Sequence, residues 1–190
     1  FNPMEDYIIE KYARKDTKIG LLRSLEPWYS VENRWTEAMA GKRVLVIHPF
    51  AETIESQYKK RELLFPGTNI LPKFDLVTQK AVQTVANKQD KRFQTWFEAL
   101  DFMYKEAMKI DVDIAILGCG AYGFPLASML KKAGKKVVHM GGSTQLLFGI
   151  KGGRWDKHRI ISGLYNASWV RPSINERPDQ ANKVENACYW

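Results

Sequence analysis

Residues 43–48, Arg-Val-Leu-Val-Ile-His, form an almost continuous β-branched run that Pro49-Phe50 brings to an end. Such a run suits a strand buried on both faces of a parallel sheet, where neither face needs polar side chains. Downstream, residues 51–65 carry Ile54, Tyr58 and Leu63-Leu64 among charges, the spacing of a surface helix, and Pro66-Gly67 stops it. Strand, turn, helix and turn make one βα unit. The same order returns later: residues 113–117 (DIAIL) read as a second buried strand, 121–133 as a helix ended by Gly134, and 136–140 (KVVHM) as a third strand. Crossovers between parallel strands are right-handed and place their helices on the sheet faces. The expected fold class is therefore α/β: a Rossmann-like, doubly wound, mainly parallel sheet with helices on both faces and an ordered C-terminal tail.

Around this centre the signals are less regular. Asn2-Pro3 followed by Met4, Tyr7, Ile8 and Tyr12 predicts a short amphipathic helix packed on the domain. Residues 21–29, broken by Pro27, read as a connector, and 31–40 as a short helix closed by Gly41. Ile70-Leu71-Pro72 is too short and too proline-bound for a central strand. Residues 77–85 read as a helix. Over residues 92–109, Phe93, Trp96, Phe97, Leu100, Met103-Tyr104 and Ala107-Met108 recur at three and four residues, so this is the most regular helix, and its aromatic stripe is assigned to the core. The expected organisation is an N-terminal helical segment (1–40), a Rossmann-like domain (41–150) and a tail wrapped on it (151–190).

Composition sets the outer limits. With 190 residues, 45% of them hydrophobic and 26% charged, the chain can build a full core, which excludes a disordered, collagenous or disulfide-scaffold class. A formal charge of +8 favours anionic partners without naming one. Cys119 and Cys188 belong to no CxxC pair, so no zinc or redox motif is expected and the cytoplasm is the expected location. Residues 114–130 lack charge, yet they hold Gly118, Gly120, Gly123 and Pro125 and fall short of the roughly 20 residues of a spanning helix, so no transmembrane segment is expected. The chain opens on Phe1 rather than Met, and an upstream piece is expected.

In an open α/β sheet the ligand lies at the carboxyl ends of the strands. That rule selects His48-Pro49-Phe50, the loop from Gly118 to Gly123, and His139-Met140-Gly141-Gly142-Ser143. Gly118, Gly120 and Gly123 fit G-x-G-x-x-G between a strand and a helix, where free N–H groups can meet a phosphate, with Tyr122 in the same turn. A dinucleotide fold would place an Asp or Glu roughly 20 residues on to hold the ribose. This chain has His139 and Met140 there, which counts against NAD. Gly141, Gly142 and Ser143 lead into another helix start, and Lys151, Arg154 and Trp155 stand in a glycine-rich turn suited to clamping a diphosphate and stacking on a base or sugar. His48, His139 and Glu52 are the candidate acid–base groups. Asp111-Val112-Asp113 has Asp-x-Asp spacing but enters its strand at the amino end, away from the crevice, so no metal ligand is assigned.

Residues 42–52 (KRVLVIHPFAE), 118–127 (GCGAYGFPLA), 139–155 (HMGGSTQLLFGIKGGRW) and 185–190 (ENACYW) together resemble the C-terminal two-thirds of bacterial proteins similar to the GT-D fold glycosyltransferases. The resemblance implies transfer of a sugar from a nucleotide-diphosphate donor to a glycan or glycolipid acceptor in surface polysaccharide or glycoprotein assembly. It also implies a divalent metal, Mn2+ or Mg2+, associated with an Asp-x-Glu motif that this chain does not contain. No nucleic acid partner is expected. Two other readings stay open: a non-catalytic α/β module binding an anion or a protein partner, and a dinucleotide-dependent oxidoreductase.

Overall fold

A computed structural model describes residues 3–84, 90–183 and 185–190. Its centre is a four-stranded sheet of β1 (Arg43–His48), β2 (Asp75–Lys80), β3 (Ile114–Leu117) and β4 (Lys136–His139), ordered β2-β1-β3-β4 with every pairing parallel. Register aligns Leu45 with Val77 on one side and Ala115 on the other, and Ala115 in turn with Val137. The run at residues 43–48 is β1, one of the two inner strands, buried at every position after Arg43.

Alternation along β1 divides the interior in two. Val44 and Val46, with Ile116 of β3, point into a core shared with helix α2 (Ala51–Tyr58) and the C-terminal tail. Leu45 and Ile47, with Ala115 and Leu117, point to the other face, where Leu100, Met103 and Ala107 of α3 (Trp96–Met108) and Leu126 and Leu130 of α4 (Gly123–Lys132) cover them. Helices on both faces of a parallel sheet are the doubly wound arrangement, as the sequence predicts. The α3 N-terminus is fixed by its own sequence: the Thr95 hydroxyl accepts the Glu98 N–H at 3.1 Å, and the Glu98 carboxylate accepts the Gln94 N–H at 2.8 Å.

Several expectations are corrected. Residues 77–85 do not begin a helix: 75–80 form β2, whose interior side chains are half-buried. As an edge strand it lacks an apolar run, and pairing with β1 overrides weak local preference; residues 85–89 lie outside the described residues. Helix α2 stops at Tyr58 instead of running to 65, with Leu64 and Phe65 turning into the core. Between residues 31 and 40 only a 3-10 turn forms, Trp35–Met39. Helix α1 (Pro3–Tyr12) is not packed on the domain, since Met4, Tyr7, Ile8 and Tyr12 are all exposed. The stripe on α3 is not wholly core either, because Phe97 is 73% exposed and Trp96 reaches solvent at the helix start.

The tail is held by polar groups as well as by Trp155 and Trp169. Buried Gln57 donates to the Gly149 and Ser168 carbonyls at 3.1 and 3.0 Å, and buried Gln145 donates to the Lys151 and Tyr189 carbonyls at 3.2 and 3.1 Å. A parallel bridge joins Ile150 to Val170. Glu176, itself buried, accepts from the Glu52 N–H at 2.8 Å and from the Thr53 N–H and hydroxyl. The tail thus caps the first turn of α2, whose own N-cap residue, Phe50, has no side-chain acceptor. No helix among the described residues is long and apolar enough to cross a membrane.

Candidate functional site

In the order β2-β1-β3-β4 the connections leave β1 and β3 in opposite directions, so the loops after these two strands part and open a crevice between them. A cavity of about 380 Å³ lies there, lined by His48 and Phe50 after β1, the turn at residues 118–122 after β3, and Trp96, Tyr189 and Trp190 from outside the sheet. Among the described residues, no Asp, Glu, Lys or Arg side chain lines it. Its walls are aromatic. Trp96 and Tyr122 stack at 4.9 Å between centroids and 6° between planes, and Trp190 meets Phe50 edge-on at 6.2 Å.

The glycine turn is as close-fitted as its sequence implies. A Cβ on Gly118 would stand 2.5 Å from His48 Cδ2 and 2.7 Å from Thr144 Cβ, so only glycine lets β1, β3 and α5 (Thr144–Leu147) meet here. Gly120 adopts φ +55°, and a Cβ placed on it would have nothing within 4 Å, so it shapes the turn and leaves space open in front of it. After Gly120 the chain coils directly through a 3-10 turn into α4, the Tyr122 and Gly123 N–H groups donating to the Cys119 and Gly120 carbonyls, so the amides at the start of this coil, ahead of Tyr122, are the ones that have no preceding helical turn to accept them.

His48 is 3% exposed, and its Nδ1 accepts the Phe50 N–H at 3.0 Å. Burial pushes its pKa down to about 3. The neutral ring therefore carries its proton on Nε2 and acts as a donor rather than as a base. Its unfolded-state pKa is near 6.5, so between pH 6.5 and 3 the unfolded chain binds a proton that the folded chain does not. Stability from this group is complete above pH 6.5 and falls with pH below it, by about 1.4 kcal/mol per unit. Urea unfolding at pH 7.5 and 5 should show the native chain losing about 2 kcal/mol more than His48→Asn, whose side chain stays neutral; equal losses would contradict a buried neutral His48. Cys119 also lines the crevice, and burial raises its thiol to about 12, so it is no thiolate nucleophile at neutral pH.

A second cavity, about 350 Å³, adjoins the first at Gly142 and Tyr189, which line both. The sequence-predicted His139, Gly141, Ser143, Arg154 and Trp155 line it, together with Glu26 from the N-terminal segment. Tyr189 separates the two spaces. Its ring lies so close to Gly142 that a Cβ there would be 2.6 Å from Cε1, and its hydroxyl accepts from Arg154 Nη1 at 2.6 Å. Arg154 also pairs with Glu185 at 3.1 Å. The Trp155 ring is buried and meets Tyr189 edge-on at 5.9 Å. His139 packs against Gly123, with Nδ1 3.3 Å from the Leu117 carbonyl oxygen.

The remaining predicted residues lie apart. Lys151 holds its amino group 5.4 Å from the Tyr165 ring centroid and lines neither cavity, so the Lys151–Arg154 clamp is not assembled. Glu52 is exposed and paired with Lys80 at 3.0 Å. At the other edge of the sheet, Asp113 accepts the Arg43 N–H at 2.9 Å, a structural role at the strands' amino ends. Glu26 carries no signal in the sequence, because it comes from a connector with no local motif; Trp96 is legible only as part of the core stripe, and Gln145, Tyr189 and Trp190 lie within the blocks 139–155 and 185–190 without being singled out as site residues.

Among the described residues no group of three or more His, Cys, Asp or Glu comes together to hold a metal ion. Among the described residues the crevice lining offers no Asp or Glu side chain, so it does not fit Mn2+ or Mg2+, which take oxygen ligands.

Fold and crevice define a class: an α/β protein with an all-parallel, Rossmann-like sheet and a crevice at its topological switch point. Beyond that class, no family model matches the chain, and neither a curated protein nor a solved structure matches it.

Proposed function

We propose that the chain binds a nucleotide-diphosphate sugar at the switch-point crevice and acts as a glycosyltransferase, or as the donor-binding portion of one, in surface polysaccharide or glycoprotein assembly. One observation carries this function: an uncharged, aromatic-walled cavity of about 380 Å³ built on a G-x-G-x-x-G turn at the carboxyl ends of β1 and β3. The amides at the start of the coil, ahead of Tyr122, suit an anion, and aromatic rings suit a base or a sugar face. His48 contributes an N–H donor, while Arg154 is the nearest predicted cation, one ring away behind Tyr189. A cytoplasmic location goes with this function.

The uncharged lining favours a nucleotide over a polyanion or an acidic protein, which would be met by clustered cations on an open face. A thermal-shift series with UDP, GDP and their sugars tests the proposal. Ligand at one hundred times its dissociation constant should add about 2.7 kcal/mol of stability. No shift with any of them, with or without Mn2+, would overturn it.

A further inference from the structure

The strand that follows the glycine turn and its helix is β4, and in a nucleotide-binding sheet the end of that strand is where a carboxylate meets the ribose. Here β4 ends at His139, and no Asp or Glu occurs from there to Phe148. The second cavity nevertheless contains one carboxylate at this place: Glu26, which shares it with His139, Gly141 and Ser143. It arrives from the opposite end of the sequence.

The segment carrying Glu26 is folded on itself and packed on the core. Trp35 Nε1 donates to the Leu25 carbonyl at 3.0 Å and Arg34 Nε to the Pro27 carbonyl at 3.2 Å, Pro27 is buried, and the Trp28 and Trp35 side chains pack against the core that Met39 enters. Burial raises the Glu26 carboxyl above the usual range, against the Trp28 and Ser143 side chains and the charges of His158 and Arg23, which favour its ionised form. The Trp28 indole N–H, though near, makes no hydrogen bond of ordinary geometry and is buried. Among the described residues no ion pair involves Glu26. A half-buried carboxylate at a cavity wall, fixed in place and with no cation of the described residues at ion-pair distance, is an acceptor suited to neutral hydroxyl donors.

We infer that Glu26 is the diol-binding carboxylate of this protein, taking the vicinal hydroxyls of a ribose in the second cavity and so replacing the acid that β4 lacks. The inference rests on the nucleotide reading of the crevice. A pyranose of a nucleotide sugar presents the same vicinal diol, and the test separates the two sources.

The experiment is a calorimetric titration of the native chain and of Glu26→Gln with UDP, 2′-deoxy-UDP and UDP-glucose, and with GDP, 2′-deoxy-GDP and GDP-mannose. The native chain should bind the ribonucleotide about tenfold or more tightly than its deoxy analogue, as expected for a hydrogen bond to a charged group. In Glu26→Gln that preference should shrink to within about twofold. Equal binding of ribo and deoxy forms, with a sugar-nucleotide advantage that Glu26→Gln removes, would assign the diol to the pyranose and still uphold Glu26 as its acceptor. Nucleotide affinities and preferences unchanged by the substitution would overturn the inference and leave the crevice reading standing, whereas no nucleotide binding at all would overturn both. Should the glutamine variant not melt cooperatively, Glu26→Asp, which keeps the charge but withdraws it by one methylene, is expected to lose the same discrimination.

Discussion

Replacing Glu176 by alanine is expected to lower the stability of the chain by about 3 kcal/mol. Its carboxylate accepts from the Glu52 and Thr53 amides and the Thr53 hydroxyl, in a site where it is only 3% exposed. Truncation leaves buried donors at the start of α2 without an acceptor, at about 1–3 kcal/mol each, and removes a negative charge from the positive end of the helix dipole. It also frees the tail, because Ser173 donates its N–H to the same Thr53 hydroxyl oxygen at 3.0 Å. For a chain of this size the melting temperature should fall by about 6–12 °C. Glu176→Gln, which keeps one acceptor oxygen, should lose roughly half as much. A Glu176→Ala midpoint within about 1 °C of the native one would show that the tail does not cap α2.

A comparable loss, about 3 kcal/mol, is expected for Gly118→Ala. The added methyl has no free direction: His48 Cδ2 lies 2.5 Å and Thr144 Cβ and Oγ1 2.7 Å from its position. His48 and Thr144 are both buried, and each is tied to backbone, His48 to the Phe50 N–H and Thr144 through its hydroxyl to the Leu117 carbonyl at 3.2 Å. Overpacking of this kind costs about 1–3 kcal/mol, and displacing the two polar groups adds to it. Gly120→Ala makes the control, since nothing lies within 4 Å of its Cβ direction and the positive φ alone costs about 1–2 kcal/mol. Urea midpoints distinguish them, and an alanine at 118 as well tolerated as one at 120 would contradict the close fit of β1, β3 and α5.

Strands β1 and β3 are legible in the sequence because a strand covered on both faces has an apolar, β-branched signature that depends on its neighbours very little, while β4, a half-buried edge strand, is legible from its Val137-Val138 pair after the Gly134 stop. Strand β2 is not legible, since Leu76, Val77, Thr78 and Gln79 are half-buried and owe their conformation to pairing with β1. The rule that ligands gather at carboxyl ends selects the glycine turn and the two histidine-bearing strand ends, and these line the two cavities. Chemistry at those places is harder to read. His48 looks like a base in sequence, and only its burial and its bond to Phe50 make it a neutral donor. Lys151 and Arg154 stand three residues apart, yet one turns to Tyr165 and the other to Tyr189. Glu26 and Glu176 carry no local motif, and the Ser143 and Thr53 side chains beside them lie more than one hundred residues away along the chain.

The crevice as a nucleotide site is tested most directly by calorimetric titration of the native chain with UDP-glucose and GDP-mannose beside the variants Trp96→Ala and Gly120→Val. Trp96 forms the wall with Tyr122, and the valine at 120 projects into the space before the turn, so both act on the cavity while α3 and the sheet keep their packing. The native chain should bind one of the two with one-to-one stoichiometry, Trp96→Ala about tenfold more weakly for loss of a stacked ring, and Gly120→Val not measurably. Native affinity retained in both folded variants, or no heat of binding in the native chain, would contradict a nucleotide site between β1 and β3.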